Sequence, residues 1–84
     1  MITREQFMAL EAGDSMLDGI GRTWKVTGVV GDIVTADLSG YGTMDLFWSD
    51  NDDPPGIYDE NWHEESKLNN PKAQAYHNGA LVAP

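Results

Sequence analysis

Residues 22–48 read RTWKVTGVVGDIVTADLSGYGTMDLFW. In this stretch Trp24, Val26 and Val30 alternate with Lys25, Thr27 and Val29. Val34, Ala36 and Leu38 alternate with Thr35 and Asp37, and Met44, Leu46 and Trp48 alternate with Asp45 and Phe47. A period of two is the mark of a half-buried strand, so the stretch predicts three strands, each with one apolar face. Gly31-Asp32 and Gly40-Tyr41-Gly42 supply the turns between them.

The faces constrain the register, because a slip of one residue turns every side chain over. A two-residue loop at Gly31-Asp32 would set Val30 opposite Ile33 and Val26 opposite Asp37, splitting the core. An offset of one sets Val30 opposite Val34, Gly28 opposite Ala36 and Val26 opposite Leu38. The expectation is therefore a three-residue loop or a bulge near Gly31–Ile33. For the next connection, a loop of Gly40-Tyr41-Gly42 pairs Leu38 with Met44, Ala36 with Leu46 and Val34 with Trp48, with Gly42 in the left-handed position. The predicted core face is then Trp24, Val26, Val30, Val34, Ala36, Leu38, Met44, Leu46 and Trp48. The opposite face carries Lys25, Thr27, Val29, Thr35, Asp37, Asp45 and Phe47, with Asp37 directly opposite Asp45, a mildly repulsive pair.

Working outward, Thr3-Arg4-Glu5-Gln6 fits a capping box and predicts a helix over 4–11 that docks Phe7 and Leu10 on the sheet. Residues 13–19 read as a short entry strand between turns. Beyond Trp48 the periodicity stops. Residues 49–70 read as an acidic arm stiffened by Pro54 and Pro55 and pinned by Ile57, Tyr58 and Trp62. Asn70-Pro71 is a helix start signal, which places a short helix over Lys72–His77 ended by Gly79. Residues 80–83 read as an edge strand or a frayed end.

The composition narrows the function classes. Eighty-four residues make one small domain over 1–84, burying roughly 60–65% of its unfolded surface. With no cysteine, disulfides, zinc–thiolate centres and thiol catalysis are out of reach, and a reducing cytoplasm is the expected location. No apolar run approaches the roughly 20 residues of a membrane span, and the N-terminal residues lack the apolar stretch of a signal peptide. The net charge of −9 disfavours direct nucleic-acid binding, which needs clustered Lys and Arg, and favours a basic partner. Half of the 14 acids, Asp50, Asp52, Asp53, Asp59, Glu60, Glu64 and Glu65, fall within one segment that holds no Lys or Arg. The bland alternative is that acidity only maintains solubility.

No catalytic or cofactor motif is present: no nucleophile elbow, no phosphate loop, no dinucleotide fingerprint. His63-Glu64-Glu65 lacks the second His of a zincin helix. The run Asp50-Asn51-Asp52-Asp53 invites a calcium reading, yet Pro54 takes the third ligand position, Pro55 the obligatory glycine and Asn61 the bidentate glutamate. Neither a cofactor nor a metal is expected. A carboxylate pair for glycoside hydrolysis would find little room for a sugar cleft. The mixture of acids and aromatics over 50–65 instead fits a protein interface, where Tyr and Trp supply anchors and carboxylates steer a basic partner. Tyr58 and Trp62 read equally as core anchors for the arm.

Two resemblances follow. Gly13-Asp14, Gly21-Arg22-Thr23-Trp24-Lys25-Val26, Gly31-Asp32-Ile33-Val34, Leu38, Gly42 and Phe47 together resemble small SH3-like barrels, over about half of the chain. This implies a mainly β (α+β) fold: a small antiparallel, partly open SH3-like barrel with a short N-terminal helix and a C-terminal arm containing one short helix. In size, charge and plan, the compact, cysteine-free, acidic chain is similar to phage-encoded inhibitors of the anti-CRISPR type. Several of these occupy the basic surface where a CRISPR effector holds nucleic acid. The resemblance implies a non-enzymatic inhibitor acting in the host cytoplasm, with its carboxylates in the place of phosphates. The expected partner-binding residues are Asp37, Asp45, Asp50, Asp52, Asp53, Tyr58, Asp59, Glu60, Glu64 and Glu65. The alternative is a structural or adaptor module, such as a phage virion or assembly component, that docks through an apolar Val29/Phe47 patch.

Overall fold

The computed structural model describes residues 1–82. Over these residues the chain forms one helix, α1 (Arg4–Met8), and seven strands: β1 (Ser15–Leu17), β2 (Thr23–Val30), β3 (Ile33–Leu38), β4 (Gly42–Ser49), β5 (Gly56–Asp59), β6 (Gln74–His77) and β7 (Ala80–Leu81). All strands belong to one antiparallel sheet in the order β5-β4-β3-β2-β1-β6-β7. The sheet curls into a half-barrel, and its concave side holds the core. Trp24, Phe7, Met16, Leu46, Ile57 and Leu68 are all fully buried there. The mainly β expectation is met, with one short helix.

The capping box forms as read: Thr3 Oγ1 accepts from the Gln6 amide and Gln6 Oε1 accepts from the Thr3 amide. The helix stops at Met8 rather than at residue 11. The Gly13 amide donates to the Val26 carbonyl, which draws the chain into sheet pairing before a third turn can form.

The three central strands are where expected, but their registers differ. Gly31-Asp32 is a two-residue turn after all, with Val30 opposite Ile33. The extra residue sits as a bulge between Val26 and Gly28, so that Trp24 faces Leu38 and Val26 faces Ala36. The bulge restores a single apolar face but exchanges its last two residues. Val29 now pairs with buried Val34, whereas Val30 turns outward and is 82% exposed. The predicted place of Val30 in the core is thus overturned. In the next hairpin Val34 pairs with Leu46, Ala36 with Met44 and Leu38 with Gly42, two residues from the predicted register. A two-residue slip keeps every side chain on its face, so patterning cannot detect it. Its consequence is electrostatic: Asp37 lies opposite Thr43 and, on its other side, opposite Lys25. Asp45 pairs with Thr35, whose hydroxyl donates to its carboxylate at 2.7 Å. The expected Asp37–Asp45 repulsion is absent.

The acidic arm is largely sheet. Strand β5 continues the meander beside β4, with Phe47 opposite Tyr58 and Trp48 opposite Ile57. Its outer edge is closed by the Asn69 side chain, which accepts from the Ile57 amide (2.8 Å) and donates to the Ile57 carbonyl (3.0 Å). Leu68 plugs the core beside it.

The predicted C-terminal helix is a strand. Asn70 does start a turn, its side chain accepting from the Lys72 amide, but Ala73 and Ala75 alternate inward and β6 pairs with β1. Asn78 and Gly79, with φ of 49° and 80°, form the two-residue turn into β7. Asn-Gly is the preferred pair for such a turn. The edge-strand reading of the tail holds at Ala80–Leu81; Ala83 and Pro84 lie outside the described residues.

Candidate functional site

Strands β2–β5 build a convex outer face whose character follows from the registers above. Val30 pairs with Ile33, the β3–β4 register continued by one residue sets Ile33 opposite Phe47, and Phe47 pairs with Tyr58. An apolar row therefore crosses four strands on the solvent side. Trp62 packs against it, meeting Phe47 in a T-shaped contact at 4.8 Å, and stays 64% exposed. Asp32, Ile33, Phe47, Trp48, Glu60 and Trp62 line a shallow groove along this row.

The loop that presents Trp62 is tightly built. Asp59 Oδ1 accepts from the amides of Asn61 (2.8 Å) and His63 (3.0 Å), and the Trp62 amide donates to the Asp59 carbonyl. These bonds hold Trp62 at φ 63°, a left-handed conformation that a bulky residue rarely adopts. Burial alone would raise the Asp59 pKa; the amides of His63 and Asn61 and the nearby His63 ring outweigh it and hold it below the usual range.

The predicted contact residues divide into groups. Asp52, Asp53 and Glu64 gather around Tyr58. Burial, followed by the charge of Asp52, Glu64 and Asp53, pushes the Tyr58 hydroxyl above its ordinary pKa. Tyr58 itself is 5% exposed and donates to the Pro54 carbonyl at 2.7 Å, so it anchors the hairpin. Glu60 lies apart, on the groove with Asp32. Asp50 accepts from the Trp48 indole and pairs with Arg4 at 3.3 Å. Asp52 accepts from the Ser49 hydroxyl. Asp59 serves its own loop. Glu65 is half-buried; burial first, then the Asp59 charge, raises its pKa, with Arg22 opposing. Asp37 and Asp45 lie further along the convex face. The full set of ten is not one patch.

The sequence reading weighed Trp62 as an interface anchor against a core anchor and left it out of the expected contact residues; Asp32 and Ile33 were passed over as groove residues. One available signal was the stretch between Lys25 and Lys67, which holds ten acids and no Lys or Arg. Two buried carboxylates were also missed. Asp18, 2% exposed, accepts from the amides of Ile20 and Arg22, the Arg22 guanidinium (2.7 Å) and the Trp24 indole (2.9 Å). Burial acts to raise its pKa, but the bonds from Trp24 and Arg22 prevail and lower it. Asp14, 3% exposed, ties the Glu11 amide to the His77 ring, 2.9 Å away. A carboxylate-held histidine is the arrangement that orients a general base. Here the second ring nitrogen meets the Asn78 carboxamide at 3.3 Å, which fits a structural clasp across the β6–β7 turn.

Among the described residues no three His, Asp or Glu side chains converge as a metal-ligand set, and no helix is long and apolar enough to cross a membrane. Comparison with protein-family models, with curated proteins and with solved structures finds no match to this chain.

Proposed function

We propose that this protein is a non-enzymatic binding protein that presents its acidic convex face to a basic, nucleic-acid-binding protein, as an inhibitor of the anti-CRISPR type does. The observation that carries the reading is the base-free stretch between Lys25 and Lys67, folded so that Asp32 and Glu60 flank an exposed tryptophan. Carboxylates arranged in this way steer a basic surface toward the protein, and an aromatic at their centre supplies contact area once the two meet. On this reading the sheet is a small, partly open SH3-like barrel used as scaffold, and the protein works in the cytoplasm of the host cell.

The test adds the purified protein to RNA-guided effector complexes and measures target-DNA binding at low and high salt. The expected result is loss of DNA binding, relieved by salt and by the combined substitutions Asp53→Lys, Glu60→Lys and Glu64→Lys. These side chains are exposed, so their reversal leaves the core untouched. Full inhibition by the triple variant would sink the reading.

A second reading, a structural or adaptor module of a phage particle, draws on the exposed Val30 and Ile33 at the β2–β3 tip. It replaces the expected Val29/Phe47 patch with Val30/Ile33/Phe47. It predicts association that salt does not weaken and that Val30→Ser abolishes.

A further inference from the structure

We propose that the groove lined by Asp32, Ile33, Phe47, Glu60 and Trp62 receives an arginine side chain of the basic protein partner. This deepens the function proposed above and rests on that partner being basic. The argument is one of complementarity. Arginine is a flat, weakly hydrated cation on an apolar stem, suited to stacking on an aromatic ring while its donors reach carboxylates. The groove offers both halves of that requirement. Trp62 is 64% exposed and meets Phe47 edge-to-face, at an interplanar angle of 71°. Ile33 and Phe47 supply an apolar floor, and Asp32 and Glu60 supply two carboxylates. No Lys or Arg lines the groove to compete for them. Neither acid is spent elsewhere: Asp32 and Glu60 are exposed and form no ion pair among the described residues.

The rest of the loop fits this role. The Asn61 and His63 amides, which donate to Asp59 on either side of Trp62 at φ 63°, fix the backbone that presents the indole before any partner arrives, which lowers the ordering cost at binding. The chain already stacks an arginine in this way once. The Arg22 guanidinium carbon lies 5.9 Å from the centre of the Trp24 ring and 5.5 Å from that of Tyr41 while its Nε bonds Asp18. The Trp62 groove offers the same pairing of aromatic and carboxylate with the cation absent.

The probes are two synthetic peptides of equal charge, nona-arginine and nona-lysine, titrated into the full chain by calorimetry, with the Trp62 indole N–H followed by NMR. Nona-arginine is expected to bind more tightly than nona-lysine and to shift the indole resonance. Trp62→Ala should weaken nona-arginine by about two- to thirty-fold, the range of a cation–π contact, and leave nona-lysine nearly unchanged. The double variant Asp32→Asn/Glu60→Gln should weaken nona-arginine while keeping the native spectrum. If both peptides bind alike and neither responds to Trp62→Ala, the groove is overturned while a diffuse acidic docking face stands. If neither peptide binds at low salt, the groove and the acidic face fall together.

Discussion

Asp18 is the residue whose removal should cost this fold most per atom. Its carboxylate is 2% exposed and takes four donors: the Ile20 amide at 3.1 Å, the Arg22 amide at 2.9 Å, the Arg22 Nε at 2.7 Å and the Trp24 Nε1 at 2.9 Å. Asp18→Ala leaves the indole N–H of a fully buried tryptophan with no acceptor, at about 1–3 kcal/mol. The Ile20 and Arg22 amides and the guanidinium lose their anchor as well, though they lie nearer water. The expected total is about 3–5 kcal/mol, the scale of breaking a buried ionic network. For 84 residues, the whole stability is roughly 4–12 kcal/mol, so the loss is about a quarter of it or more and should show as a clearly lower urea midpoint. Asp18→Asn keeps the shape but turns an NH2 toward donors, and should cost about 1–3 kcal/mol. Urea titrations followed by tryptophan fluorescence measure both. The sign of the pH dependence follows from the lowered pKa of Asp18. Its stabilisation is complete above the unfolded value of about 3.9 and is lost as pH falls through the folded value. Wild type and Asp18→Asn should therefore converge in acid. A loss below about 1 kcal/mol for Asp18→Ala, set against the 1–3 kcal/mol cost of one unpaired buried donor, would refute this account of the network.

Two further outcomes are expected. His77 is held by Asp14 at 2.9 Å, and that bond and charge raise its pKa. The pair thus contributes fully below about pH 6.5, the unfolded His value, and fades as pH rises through the folded one. The melting-temperature gap between wild type and His77→Gln should shrink from mildly acidic to alkaline pH, and a gap independent of pH would discount the ion pair. Gly56→Ala would drive a Cβ into the Asn69 carboxamide that caps Ile57. It should cost about 1–3 kcal/mol, the price of losing buried hydrogen bonds, and Asn69→Ala should add little on top of it. Additive losses in the double-mutant cycle would show that the two do not act through one clamp.

What was legible in the sequence was whatever a short window decides. Thr3 and Gln6 settle the helix start between themselves, and alternation around Trp24, Ala36 and Leu46 assigns the concave face. The register was not legible, because alternation has a period of two and cannot see a slip of two between β3 and β4. Nor does it locate a bulge, which can sit anywhere that leaves the faces aligned. Strand β5 was hidden because Pro54 and Pro55 dominate their neighbourhood, and because Ile57-Tyr58 is too short to show a period. Strand β6 was hidden by Asn70-Pro71, a helix signal overridden when Ala73 and Ala75 found β1. Asn78-Gly79 was the clue that pointed the other way. For the site, the charge pattern was visible, but the exposure of Trp62 depends on a loop held by Asp59 and had no linear signature.

The bulge between Val26 and Gly28 works as a phase shifter in β2. On one side of it the strand beats in time with the core; on the other it beats half a cycle later. The tip that carries Val30 and Ile33 is thereby uncoupled from the packing of Trp24 and Val26. Substitutions there can retune what the convex face offers to a partner without disturbing the interior. Deleting Thr27 would take out the bulge and leave the pairs on either side, and so both faces, as they are, with Val30 still outward opposite Ile33.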